Sequence, residues 1–348
     1  MDNLISESAS WLRDPKCKDG SIQEKTKSVL TFFKGYIKNN KAELEHVTGF
    51  PVKDMIHEVE KSQAVFDSII DSYLKGVHYI AISTANKYLK GLNNTILPKG
   101  NRLYKARDSR SNYLFCKDDM FHIPYDKREK IGNQRYSVSG MPCLYLASSS
   151  YVCWEELGRF DFTLCNFCGF SNQEDVPLYD FAIPSTITTI DDIKRVSAIL
   201  ACSLSAKRDA FFKEEYILPQ CLFQGLIHKR HYLHRDQQLF AVRYLSVHVL
   251  NGDADCFSFD FNEVKWVERL YNYVFPAGSS EKRGQNALLK DVFVQTDATT
   301  MFKETLLHPE KLMMGNSDDV YLDSQFGLMD AFLDDKMGYK PLRKEITY

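Results

Sequence analysis

"QRYSVSGMPCLYLASSSYVCWEEL", Gln134 to Leu157, is the stretch on which the reading of this chain turns. Two short apolar runs flank a turn containing Gly140, and a serine cluster then precedes a helical start, so the stretch reads strand, turn, strand, helix. Arg135 opens the first strand. Tyr145 lies in the second ("CLYLA"), and Glu156 in the helix that begins after "SSS". A guanidinium fork grips phosphate or carboxylate. A tyrosine offers a stacking face and a hydroxyl. A carboxylate beside a sugar stabilises an oxocarbenium-like transition state. Together the three suit attack at the anomeric carbon of a charged nucleotide. The same residues also admit a purely structural reading, with Arg135 in a surface ion pair, Tyr145 in a strand core and Glu156 on a solvated helix face.

Outward from this stretch, "RLYKAR", "LYDFAIP" and "FAVRYLSVHVL" are short β-like runs, and in the last Val242, Tyr244 and Ser246 alternate as on a strand. Helical patches intervene: "SSYVCWEELGRF", "DIKRVSAILACSLSA" and "EEYILPQCLFQGLIHKRH". Upstream, residues 21–92 read helical. Val29, Leu30, Phe33 and Ile37 recur near helical spacing, and Ser21 with Glu24 has the form of a capping box. A helix over "VHYIAISTANKYLKGL" ends at Gly91. "NNTILPKGN", residues 93–101, is turn-rich and suits a boundary. The expected organisation is a helical domain over 1–95, a strand-rich α+β domain over 101–305 and a tail over 306–348.

Composition narrows the function. A chain of 348 residues suggests two domains. A net charge of −2 and a pI near 6.5 argue against nucleic-acid or anionic-membrane binding, which require a basic surface. No apolar run is long enough to span a bilayer, and the N-terminus lacks a signal-peptide layout. The 9 cysteines show no disulfide spacing, which points to a reducing cytoplasm.

Three further motifs attract attention and carry less. "CNFC" (Cys165 to Cys168) has metal-ligand spacing but no second pair, and reads as ordinary cysteines in a turn. "HKRHYLH" holds His228, His231 and His234 without a carboxylate, and reads as a helix end. "RYLSVH" (Arg243 to His248) matches a loose nuclease pattern by chance within a β-like run. No Walker loop, GxGxxG or GxSxG is present.

The segments "LYKARDSR", "MFHIPYDKREKIGNQRYSVSGMPCLYLASSSYVCWEELGR", "ILPQCLFQ" and "YNYVFPAGSS" resemble the RES-domain family, named for its Arg, Glu and Ser. The likeness spans roughly 101–300, with its strongest motifs in 103–159. Arg135, Tyr145 and Glu156 match the family's central spacing. The resemblance implies an ADP-ribosyltransferase-like fold, NAD as substrate, no metal, and the role of toxin in a bacterial toxin–antitoxin module. It implies that Arg135, helped by Lys105 or Arg107, holds the pyrophosphate. Tyr145 would pack beside the nicotinamide ribose, and Glu156 would bond the ribose and stabilise the developing cation. Lys105 stands where the family has Arg, keeping the charge without the fork. Arg107, two residues on, faces the same side of a strand. Ser246 is the first choice for the family's serine, because Ala277 occupies another candidate position. The function implied is cleavage of the nicotinamide–ribose bond by a glycohydrolase or phosphorylase. ADP-ribosyl transfer and a silent interaction module are the alternatives. Expected partners are NAD and an antitoxin or regulatory protein, with no nucleic acid and no membrane; self-association is left open.

Overall fold

The structure, a computed structural model, describes residues 4–342 except 91, 93, 110–112, 208, 232, 234–237, 252–266 and 301–320. Gly91 and His234 lie outside the described residues. Among these residues the fold is mixed α+β, built on one nine-stranded sheet. Its strands are β1 (Thr95–Leu97), β2 (Arg102–Asp108), β3 (Cys143–Ala147), β4 (Cys165–Asn172), β5 (Val176–Phe181), β6 (Ala241–Leu245), β7 (Tyr271–Pro276), β8 (Phe293–Gln295) and β9 (Lys340–Pro341). They lie in the order β1-β5-β6-β7-β3-β2-β4-β8-β9. Only β5 and β6 pair in parallel among these, and the helices Ile190–Cys202 and Ile217–His231 occupy the crossover between them.

The N-terminal region is helical, as its periodicity predicts. The helix Ile22–Asn39 starts at Ser21, whose hydroxyl accepts from the Glu24 amide while the Glu24 carboxylate accepts from the Ser21 amide. Its apolar stripe, including Val29, Leu30, Phe33 and Ile37, is fully buried. That stripe and those of Val52–Leu74 and His78–Tyr88 close against one another and against the two crossover helices. Gly225 permits this approach: a Cβ there would meet the Asn86 backbone at 3.1 Å. The Lys25 ammonium donates to Glu215 at 2.7 Å, and both side chains are buried. The Tyr88 hydroxyl donates to the Lys194 carbonyl at 2.7 Å.

Several local expectations are corrected. The 93–101 stretch is not all turn, because Thr95–Leu97 pairs with β5 and forms one edge of the sheet. "CNFC" is not a turn but the first half of β4, paired to β2 from Cys165 through Ser171. Cys165 and Cys168 are three apart in a strand and so face opposite sides. Ser246 lies one residue beyond β6, and "VHVLN" is a short helix, Val247–Asn251. The described part of the expected tail is integral to the sheet unit. Its helix Gln325–Asp335 packs on the Ser150–Glu156 helix and on β4, and β9 pairs with β8. No described helix is long and apolar enough to cross a membrane.

Candidate functional site

The helix Ser150–Glu156 carries the expected carboxylate at its last residue. Ser149 caps it by accepting from the Val152 amide. Asp330, from the Gln325–Asp335 helix, accepts from the Ser150 amide at 3.0 Å. Burial pushes the Asp330 carboxyl up to about 7, although hydrogen bonds from Tyr321 and Ser150 oppose that shift. Beyond Glu156 the chain turns through Gly158 and Arg159, both at positive φ. This turn brings the Arg159 guanidinium back onto Glu155 in a forked ion pair, with contacts of 3.0 to 3.2 Å.

Glu156 is fixed from β7 and from the residue that follows β6. Its Oε1 accepts from the Ser246 hydroxyl at 2.8 Å and from the Asn272 amide at 2.7 Å. Asn272 lies on β7, opposite Ala147 on one side and Tyr244 on the other, so it projects from the middle of the sheet. The other carboxylate oxygen lies 3.8 Å from His248 Nε2. Glu156 thus stands in the wall between two cavities. The first, about 460 Å³, is lined by Arg135, Glu155, Arg159, Lys213, Tyr216 and His248 among others. The second, about 410 Å³, is lined by Lys105, Arg107, Lys130, Tyr145 and Asn272 among others. Gln134, Glu156 and Tyr244 line both.

The charge in these cavities is uneven. In the second, among the described residues, three cations face a single carboxylate, Glu156. The Lys105 ammonium donates to the Phe121 carbonyl at 2.9 Å. Desolvation lowers it to about 8, and the nearby Arg107 adds to that. Arg107 donates to the Asp119 carbonyl and lies over the Phe115 ring. Among the described residues no carboxylate forms an ion pair with Lys105, Arg107 or Arg135. A buried or enclosed cation ordinarily has a carboxylate partner, so such groups mark a place where an anion can bind.

The expected residues are thus brought together unequally. Glu156, Tyr145, Lys105 and Arg107 share the second cavity, and Ser246 touches Glu156 directly. Tyr145 donates to the Ser137 hydroxyl at 3.0 Å. Arg135 lines the first cavity instead. It does not open a strand: Gln134 and Ser137 bridge to each other, and Arg135 sits in the turn between them. Its Nη1 donates to the Cys202 and Leu204 carbonyls at 2.6 and 3.1 Å, and its guanidinium lies over the Tyr216 ring. Sequence reasoning missed Asn272, Tyr244 and His248. Tyr244 precedes Ser246 by two residues, the spacing of one face along an extended chain. Asn272 is the one amide in "YNYVFP", a polar side chain that needs a partner in a buried strand.

Over 263 residues the chain is 30% identical to "Putative toxin YopC" of Bacillus subtilis (strain 168). That alignment covers 67% of this chain and 56% of that protein, so the chain matches little more than half the length of this curated relative. No protein-family model and no solved structure matches the chain.

Proposed function

We propose that this protein is a toxin that binds NAD and breaks the bond between nicotinamide and its ribose, on an ADP-ribosyltransferase-like sheet. The observation that carries this reading is the Glu156 carboxylate, pinned by Ser246 and Asn272 beside a cavity whose other charged groups among the described residues are all cationic. NAD presents the matching pattern, a diphosphate and a cationic pyridinium joined through ribose. Lys105 and Arg107 take the diphosphate, and Arg135 adds positive charge from the first cavity. Tyr145 packs along the ribose and nicotinamide. Glu156 accepts from the ribose hydroxyls and stabilises positive charge as the C1′–N bond lengthens. The pyridinium leaves as neutral nicotinamide, so no general acid is needed. The likeness to a protein named as a toxin supports a toxic role, which a restraining antitoxin would hold in check.

Release of free nicotinamide from NAD by the purified chain tests this. The proposal expects turnover, with the ADP-ribose moiety recovered as a small molecule by a glycohydrolase or phosphorylase. ADP-ribose recovered on protein would instead mean transfer, and absence of nicotinamide would leave only a binding module.

A further inference from the structure

We infer that His248 is the general base that activates a water molecule for attack on the ribose, so that the reaction is hydrolysis; this rests on the NAD reading above. Glu156 cannot readily serve both tasks. Its Oε1 is held by Ser246 and Asn272, and its role is to remain charged beside the developing cation. Of the other titratable groups lining the first cavity, Glu155 is engaged by Arg159 in a forked ion pair, Tyr244 has its phenol pushed far above its ordinary range by burial, and Tyr216 carries both the Arg135 guanidinium and the Lys213 ammonium over its ring. The imidazole of His248 lines this cavity too, half-exposed, with Nε2 3.8 Å from Glu156 Oε2. Imidazole is the side chain whose ordinary titration falls near neutral pH, which suits proton transfer from water.

The placement also separates the reactants. NAD fills the second cavity, with its cations, and water reaches the ribose from the first, across the wall that Glu156 forms. In the step itself, a water proton passes to His248 Nε2 and the water oxygen bonds to C1′. The C1′–N bond breaks with its electron pair going to nicotinamide. No electrons are gained or lost overall, and the products are ADP-ribose, nicotinamide and a proton.

Among the described residues, the charged groups on the His248 side of the cavity include Glu156, at 3.8 Å, and Glu155 and Arg159 from the Ser150–Glu156 helix and the turn after it. Arg135 and Lys213 line the same cavity. The helix Leu4–Arg13, which carries Glu7 and Arg13, also packs on Val247–Asn251. The net effect of this mixed set is read from the pH profile.

The test is nicotinamide release from NAD by the full chain and by His248→Asn and His248→Gln, from pH 5 to 9, with thermal melting of each. We expect kcat to fall about 100-fold in both variants with KM changed far less. The acid limb of the wild-type profile should disappear, and added free imidazole should restore part of the rate. Wild-type kcat and an unchanged acid limb in two folded variants would overturn the inference while leaving the NAD reading intact. Wild-type turnover that depends on added inorganic phosphate would overturn it as well, since an anionic acceptor needs no base. A wild-type chain that releases no nicotinamide would overturn the NAD reading itself.

Discussion

Lys25 and Lys105 are both enclosed lysines, one in the helical layer and one in the candidate site, and they are satisfied differently. Lys25 meets the Glu215 carboxylate at 2.7 Å. Lys105 meets a backbone carbonyl and no carboxylate among the described residues, and its ammonium is held down to about 8. The helical layer closes its charges on itself because its task is to join Ile22–Asn39 to the crossover helices. The cavity leaves its cations for a partner that the described residues do not supply. An enclosed charge in the first place is compensated by its partner, so that losing one member strands the other; in the second it costs stability that a ligand can return.

The largest effect expected from breaking this contrast is at Lys25. Lys25→Met strands Glu215 without its cation, and should lower the unfolding free energy by about 3–5 kcal/mol, measured by denaturant titration. A loss under half a kcal/mol would mean the pair is not a closed unit.

Lys105→Met should act in the opposite direction. Its folded-state pKa is about 8 against an ordinary 10.5, so below pH 8 the charged form costs stability, and this cost fades as pH rises to 10.5. The substitution should therefore raise stability by about 1–2 kcal/mol at pH 7 and by progressively less toward pH 10.5, while weakening NAD binding about tenfold. Calorimetric titration and thermal melts of the same samples check both halves. Destabilisation together with unchanged NAD affinity would remove Lys105 from the site.

Asp330 sharpens the comparison from the carboxylate side, because it escapes burial cost by keeping its proton. Its pKa is raised from 3.8 to about 7, so it favours folding fully below 3.8, and that contribution is lost as pH rises through 7. His122, lowered by burial from 6.5 to about 4, acts oppositely: its contribution is present above 6.5 and lost as pH falls toward 4. The two offset each other over most of that window in the wild type. Asp330→Asn removes one of them. Its stability relative to wild type should rise by about 1.4 kcal/mol per pH unit between 4 and 7. A pH-independent difference in parallel denaturant titrations would contradict the assignment.

How much of this was legible in the sequence depends on whether the cause was local. The Ser21 cap, the amphipathic helices and the Ser149-capped helix bearing Glu156 follow from neighbours in the chain. So does the shared cavity of Lys105 and Arg107, which alternation along β2 dictates. The turn at Arg135 does not. Gln220, on the crossover helix, donates to the Gln134 and Ser137 carbonyls at 2.8 and 3.1 Å, and so holds the turn from a distant part of the chain. β1 is equally non-local, a three-residue strand in a turn-like stretch that exists through its pairing with β5. Asn272 becomes a site residue only once β7 lies between β3 and β6, and His248 only once the chain bends after Ser246. The RES-like spacing pointed to Glu156 and Tyr145, but the groups that hold and flank Glu156 come from strands whose neighbours no local pattern reveals.

The measurement that bears most directly on the central claim compares Glu156→Gln with wild type for NAD affinity and nicotinamide release. Glutamine keeps an oxygen to accept from Ser246 and Asn272 but removes the negative charge. Glu155 is no neutral control, because it is buried and paired with Arg159; the exposed Glu60 serves instead. NAD affinity should stay within about threefold of wild type and kcat should fall about 100-fold or more for Glu156→Gln, with Glu60→Gln unchanged. Nicotinamide release at the wild-type rate by folded Glu156→Gln would contradict it.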